Sequence, residues 1–194
     1  TEIYTLSLHD ALPIYSAPVA TQACHAAGVA LGMKMQRKDT VVLTTIGEGS
    51  TSQGEWYEAV NWAAVHNLPV IFLVENNQYA ISVPQDKQMA VRSSADKACG
   101  LGLEGVTVDG TDLFAVYETV SRAVEKARRG DGPTVVEARM YRITPHSSDD
   151  DDRTYRSREE VEENKRNDPL LTNRARLEAE GLLTAAQVEE MEVR

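Results

Sequence analysis

Basic residues are in short supply. The 194-residue chain carries 20 Lys and Arg against 30 Asp and Glu, a net charge of −10. That argues against nucleic acid or an anionic membrane surface as the main partner, because both need clustered positive charge. Long apolar runs are missing as well: none approaches the roughly 20 residues that a membrane span takes. Cysteine is nearly absent. Cys24 and Cys99 have neither metal-ligand nor redox spacing, so they read as reduced thiols of a cytoplasmic compartment, taken here as bacterial. There is no internal repeat and no long flexible linker. What remains, 42% apolar and 26% charged residues, suits one domain with a real core, with or without a tail.

The first residues, "TEIYTLSLHDALPI", lack an initial Met and hold acidic side chains where a signal peptide is basic. They look like a translated sequencing adapter. Residues 1–15 are therefore read as a leader foreign to the fold.

From Ala17 to Met35 small and apolar residues dominate, which predicts a closely packed helix, with Gly28 and Gly32 letting a neighbour come near. "TVVLTTIG" (Thr40 to Gly47) is a β-branched run suited to a strand buried on both faces. Ser52 with Glu55 three residues on predicts a capping box. The helix behind it should run to about His66, with Trp56, Ala59, Val60 and Ala63 inward and Asn67 and Pro69 ending it. "VIFLVE" (Val70 to Glu75) is a second buried strand and "NNQYA" its exit turn. The pattern repeats: strand "GVTV", turn "DGTD", then a helix with Leu113, Val116, Val120, Val124 and Ala127 on its core face. Gly130 to Pro133 stop that helix before the strand "TVVEARMYR". Strand–helix–strand grammar of this kind gives an α/β fold with an open, mostly parallel sheet covered on both faces. After Arg142 the periodicity ends in a loop. Ser157 with Glu160, and Thr184 with Gln187, then predict short charged helices broken by Pro169 and Gly181.

In such sheets ligands bind at the carboxyl ends of the strands. Two turns emerge there, "GEGS" and "ENNQY", and parallel strands joined by one right-handed crossover can bring them face to face. Gly49 and Ser50 offer N–H groups to an anion. A bare Glu48 carboxylate would repel that anion unless a cation lay between. Mg²⁺ resolves the conflict, since it takes hard oxygen ligands together with substrate phosphates. Glu48, the amide oxygen of Asn77 and a turn carbonyl, that of Tyr79, supply the oxygens. Either turn alone is better explained by a tight glycine bend with Glu48 in water and Asn76–Asn77 favouring left-handed backbone. The pair is more specific, because residues 50–75 between them, 26 in number, make one helix and one strand.

At this spacing "GEG…NN" resembles the thiamine-diphosphate motif. "SAPVATQ", "GEGSTSQGEWYEAVNWAAVHNLPVIFLVENNQYAISVP", "VDGTDLFAVY", "ARRGDGPTVVEARMYR" and "PHSSDDDDRTYR" widen the match. They resemble the alpha subunit of the thiamine-diphosphate-dependent 2-oxo acid dehydrogenase decarboxylating component. "YAIS" and "HSSDDD" look most like the branched-chain (2-oxoisovalerate) type. The resemblance implies that Glu48, Asn77 and the Tyr79 carbonyl hold Mg²⁺ and that Gly49 and Ser50 face the diphosphate. It implies that Ala17 and Val19 hold the aminopyrimidine, and that Ser16, Pro18, Thr21 and Gln22 match a K⁺ site of some members. His146 matches an active-site histidine that contacts the cofactor and serves acyl transfer. Ser147 matches a regulatory phosphorylation position, where a phosphate beside Asp149 to Asp152 should disorder the loop.

The implied division is a thiamine-diphosphate-binding domain at 16–143, an active-site loop at 144–156 and a helical C-terminal tail at 157–194. The implied activity is oxidative decarboxylation of a branched-chain 2-oxo acid, with the acyl group passed to lipoamide. The implied partners are a beta subunit in an α2β2 heterotetramer, a lipoyl-bearing acyltransferase and the small 2-oxo acid itself. The beta subunit supplies the glutamate that activates the cofactor, so the chain should not act alone. The chain departs from the family pattern in lacking the N-terminal contacts to the diphosphate and part of the tail, as a fragment would. Where some relatives carry Arg before the asparagine pair, it carries Glu75.

Three alternatives stay in view. Pyruvate or acetoin would serve as substrate in the same family. A dinucleotide-binding module needs G-x-G-x-x-G, but after Gly47 and Gly49 the next glycine is Gly54, two residues late. A noncatalytic interaction subunit would keep the fold without a working site.

Overall fold

A computed structural model describes residues 3–5 and 18–192. The elements in order are β1 (Ile3–Thr5), α1 (Thr21–Met35), β2 (Val41–Gly47), a 3₁₀ turn (Glu48–Ser52), α2 (Gly54–Val65), β3 (Val70–Asn76), β4 (Tyr79–Ala80), β5 (Val83–Pro84), α3 (Gln85–Gln88) and α4 (Asp96–Gly100). There follow β6 (Glu104–Asp109), α5 (Leu113–Arg128), β7 (Thr134–Arg139), a second 3₁₀ turn (Asp152–Thr154), α6 (Arg158–Lys165), α7 (Pro169–Ala179) and α8 (Ala185–Glu192).

The main sheet has the order β1-β2-β3-β7-β6, with every pairing parallel. Alternate side chains of its strands divide between two cores, as the pleat requires. Val42, Ile46, Val70, Phe72 and Val135 face α1 and α2; Val41, Ile71 and Val136 face α5. The expected open parallel sheet with helices on both faces, followed by a helical tail, is the observed architecture. On α2, Trp56, Ala59, Val60 and Ala63 are all buried, as the periodicity predicts. Burying a side chain of the Val or Phe class contributes on the order of 1.5–3 kcal/mol.

Several local expectations give way. Gly28 and Gly32 meet no neighbour among the described residues, since an added Cβ on either has nothing within 4 Å. The close-packed stripe of α1 is Ala23, Ala26, Ala27 and Ala30, and the glycines lie off it. The capping box of Ser52 and Glu55 does not form. Gln53 is the N-cap of α2, and Ser52 Oγ instead accepts from Gln88 Nε2. On α5, Leu113 is 52% exposed because the first turn lies beyond the sheet, against α7, where its N–H meets Asn173 Oδ1. Thr119 and Ala123 take up the inner face with Val124 and Ala127.

The tail obeys its caps. Ser157 Oγ accepts from the Glu160 N–H at 3.1 Å. Thr184 and Gln187 form the reciprocal pair, with Gln187 Oε1 accepting from the Thr184 N–H at 2.9 Å and Thr184 Oγ1 from the Gln187 N–H at 3.3 Å. The leader reading of residues 1–15 falls mostly outside the described residues; within it, β1 pairs with β2 through Ile3–Val41 and its neighbours. Among the described residues no helix is long and apolar enough to cross a membrane.

Candidate functional site

Register builds the site. Gly47 lies opposite Glu75 in the β2–β3 pairing, so Glu48 and Asn76 leave the sheet side by side. The 3₁₀ turn folds Glu48 inward until it is 1% exposed. Its carbonyl accepts from Thr51 Oγ1 at 2.6 Å, and Lys97 Nζ holds Thr51 through its carbonyl at 3.1 Å and its hydroxyl at 2.7 Å. Glu48 Oε2 accepts from the Asn77 N–H at 3.2 Å, while Oε1 is buried with no donor among the described residues. Burial pushes the Glu48 carboxyl above its ordinary value, against the lowering pull of the Glu48 and Asn77 N–H groups and Arg142. An unsatisfied buried oxygen costs on the order of 1–3 kcal/mol, so Oε1 is poised for a ligand.

The facing turn is equally determined. Asn76 Oδ1 accepts from the Gln78 N–H at 2.9 Å, and Asn77 Oδ1 from the Tyr79 N–H at 3.1 Å. These two Asx bonds carry the chain through Gln78 at φ 73° and on to Ile81 at φ 57°. A β-branched residue in that region is strained. The strain is held by Arg142, which donates from Nη2 to the Ile81 carbonyl at 2.6 Å. Tyr79 and Ala80 pair with Val83 and Pro84 as a small antiparallel hairpin that the simple exit-turn reading does not contain. Gly49 is required where the turns touch, because a Cβ there would lie 2.7 Å from Ala80 Cβ.

The carboxylate, carboxamide and carbonyl oxygens of these two facing turns are hard donors of the type that Mg²⁺ takes. Asn77 Oδ1 retains a second lone pair beside its Asx bond. The Tyr79 carbonyl takes a long contact of 3.5 Å from Arg142 Nη1. The residues present therefore fit Mg²⁺, and the glycine-lined turn fits a phosphate group approaching Gly49 and Ser50.

His146 stands in the loop behind β7. The loop is stitched to the hairpin by Arg142, which also meets Tyr155 Oη at 2.7 Å and lies 3.8 Å from Asp150. Asp150 in turn accepts from Tyr155 Oη and from the His146 N–H at 2.8 Å. The Tyr155 hydroxyl, then that N–H, hold the Asp150 carboxyl below its usual range. The His146 side chain is left exposed. Arg156 binds Asp152 and the carbonyls of Arg142 and Ile143. Glu160 Oε1 accepts from both Tyr79 Oη and Tyr141 Oη at 2.8 Å, which clamps α6 onto the turn after β3. Burial, followed by the Glu160 bond, pushes the Tyr79 phenol up to about 12.

The N-terminal candidates are only partly placed. Ser16 and Ala17 lie outside the described residues. Val19 is 49% exposed, next to Pro18 and the buried Ala20 at the head of α1. Thr21 Oγ1 donates to Glu55 Oε2 at 2.8 Å, and Gln22 Nε2 to the Thr45 carbonyl at 3.4 Å, so both sit against β2 and α2. Glu75 is exposed at the end of β3. Two cavities of about 610 and 730 Å³ meet around Gln78 and Arg139 at the carboxyl ends of β3, β7 and β6. Each is of small-molecule size.

Sequence reasoning missed Arg142, Glu160 and above all Glu137, a fully buried carboxylate inside the strand "TVVEAR". The signal was there: a lone charge in an apolar strand run.

A family model for the dehydrogenase E1 component matches residues 9–194. The chain belongs to the dehydrogenase E1 component family. Within it the chain is 57% identical over 169 residues to a 2-oxoisovalerate dehydrogenase subunit alpha of Bacillus subtilis, covering 87% of this chain and 51% of that one. It is 42% identical over 179 residues to a 3-methyl-2-oxobutanoate dehydrogenase subunit alpha of Mycobacterium tuberculosis (92% and 49% covered). A pyruvate dehydrogenase E1 component subunit alpha of Staphylococcus epidermidis is 44% identical over 165 residues (84% and 45% covered). This E1 chain thus spans about half the length of the relatives it matches. Among solved structures it is similar to a thiamin diphosphate-dependent enzyme from Mycobacterium smegmatis, at a TM-score of 0.52 and 28% identity over 66% of this chain and 23% of that one.

Proposed function

We propose that this chain carries the metal and diphosphate half of the site of a branched-chain 2-oxo acid dehydrogenase alpha subunit. The observation that carries the reading is Glu48: buried, one oxygen on Asn77 and the other without a donor among the described residues. Glu48, Asn77 Oδ1 and the Tyr79 carbonyl hold Mg²⁺, and the N–H groups of Gly49 and Ser50 face the diphosphate. Val19, with Ala17 before it, holds the aminopyrimidine, and Ser16, Pro18, Thr21 and Gln22 hold K⁺. When bound, thiamine diphosphate supplies an electron sink for loss of carbon dioxide from the 2-oxo acid.

The chain's own residues bind and orient. Glu48 offsets the metal's charge, and Gly49 lets the backbone come close. Arg142 and Asp150 order the loop so that the His146 imidazole can donate a proton at a lipoyl sulfur as the acyl group leaves. Residues 16–143 form the cofactor domain, 144–156 the active-site loop and 157–194 the tail. A beta subunit completes an α2β2 heterotetramer, a lipoyl-bearing acyltransferase takes the acyl group, and the compartment is a bacterial cytoplasm. The branched-chain assignment draws on the 57% likeness to a 2-oxoisovalerate subunit against 44% to a pyruvate one.

The test is to co-express the full-length gene with its beta subunit and titrate thiamine diphosphate by calorimetry with and without Mg²⁺. Glu48→Ala and Asn77→Ala should each abolish Mg²⁺-dependent binding while the far-UV circular dichroism stays unchanged. Normal binding by both variants refutes the metal assignment. Branched 2-oxo acids should then turn over with a higher kcat/KM than pyruvate.

A further inference from the structure

Glu137 lies on β7, away from the residues named above as ligands. Its carboxylate is fully buried, and four protein groups donate to it. Oε1 accepts from Asn76 Nδ2 at 2.6 Å and from the Ser94 N–H at 2.9 Å; Oε2 accepts from Thr107 Oγ1 at 2.9 Å and from Ser93 Oγ. Burying an ionised group is costly, and apolar residues of like volume often serve stability as well or better. The arrangement of these donors indicates what the carboxylate does.

Asn76 immediately precedes Asn77. Besides its bond to Glu137 it donates to Gln85 Oε1 at 2.8 Å and accepts from Gln78. Both halves of its carboxamide are thus fixed, and with them the start of the turn that presents Asn77 and Tyr79. Two of the other three donor residues, Ser93 and Ser94, open a segment that presses onto β6. Contact there is so close that a Cβ on Gly105 would lie 2.1 Å from the Ala95 carbonyl oxygen. The same segment continues to Lys97, whose ammonium holds Thr51, and Thr51 holds the Glu48 carbonyl.

We propose that Glu137 is a positioning residue that sets the separation of the two ligand turns. It fixes the Asn77 turn through Asn76, and the Glu48 turn through the segment from Ser93 to Lys97. The inference rests on the reading of Glu48 and Asn77 as Mg²⁺ ligands. Groups that hydrogen-bond a metal's ligands alter its affinity by about 10–100-fold, and Glu137 acts through one further residue, at the lower end of that range.

The experiment uses the full-length alpha chain co-expressed with its beta subunit. Two quantities are measured: the Mg²⁺ concentration for half-maximal thiamine diphosphate binding, and the thermal midpoint without metal or cofactor. Glu137→Ala should raise the Mg²⁺ midpoint about 10-fold or more, and Glu137→Gln, which keeps the shape, should restore most of it. Asn76→Ala leaves three donors on Glu137 and cuts only its link to the metal turn. It should raise the Mg²⁺ midpoint by a similar factor, with kcat recovering at saturating Mg²⁺, and it decides the matter where alanine at 137 fails to fold. A lowered thermal midpoint with an unmoved Mg²⁺ midpoint overturns the inference. Glu48→Ala is the control: if it binds normally the metal reading itself falls, whereas its failure beside a normal Asn76→Ala titration removes only the role of Glu137.

Discussion

The Asn77 N–H donates to Oε2 of Glu48 at 3.2 Å, although 29 residues separate them in the chain. This bond joins the ends of β2 and β3, and among the described residues Oε1 of the same carboxylate has no donor. The fold holds a carboxyl where burial works against its charge, and a cation beside it would repay that placement. Local cost of this kind gathers at functional sites. The left-handed Gln78 and Ile81 in the next few residues show the same tension in the backbone.

Gly49 separates contact from clash. A Cβ there would come 2.7 Å from Ala80 Cβ, well inside normal packing distance, while Ala80 Cα stays at an ordinary 3.4 Å. Gly49→Ala should therefore push the two turns apart. The expected cost is about 1–3 kcal/mol, typical of overpacking, read as a lower urea midpoint, together with weaker Mg²⁺-dependent cofactor binding. Ala80→Gly in the same chain removes the opposing atom and should recover at least half of both losses. If the double variant is no better than the single one, the turns do not meet through these two residues.

The two turns were legible because their position follows from strand period and parallel pairing alone. Glu48 and Asn77 stand at the carboxyl ends of two apolar runs one crossover apart, and no side-chain detail is needed to bring them together. Caps were legible only where nothing else competed. Ser157 kept its helix N-terminus, whereas Ser52 lost its oxygen to Gln88 from a segment 36 residues on. Glu137 was opaque for a similar reason. Its four donors come from β3, β6 and the segment before α4, and only the closed sheet reveals that a carboxylate inside "TVVEAR" is satisfied. The core face of α5 was misjudged at Leu113 because periodicity does not report where a helix overruns its sheet.

Arg142 ties the turn after β3 to the loop of His146. Its guanidinium reaches the Tyr79 and Ile81 carbonyls on one side, and Tyr155 Oη and Asp150 on the other. Hydrogen bonds to a charged group contribute roughly 1.5–3 kcal/mol each, so losing them should raise the open population of the loop about 10-fold or more. Arg142→Met should speed limited proteolysis within residues 144–156 and lower kcat more than it shifts the Mg²⁺ midpoint. Unchanged cleavage would mean that Arg156 and Asp152 hold the loop by themselves.

Glu137 also makes a prediction in pH. Burial alone would raise its pKa, but the Ser93 hydroxyl, the Ser94 N–H, the Asn76 amide and the Thr107 hydroxyl outweigh burial and leave it below the ordinary 4.5. A carboxyl whose folded pKa is depressed stabilises the fold at pH above its unfolded value and loses that contribution as pH falls through the folded one. Glu137→Gln has no such charge to lose. The wild-type chain should therefore be more stable than the variant by about 1 kcal/mol or more from pH 8 down to about 5, on the scale of hydrogen bonds to a charged group. The gap should narrow steadily below pH 4.5. Urea unfolding followed by the fluorescence of buried Trp56 reads both limbs. A gap that stays constant down to pH 3.5 would show that the four donors do not hold the carboxylate ionised. The anchor would then act through shape alone.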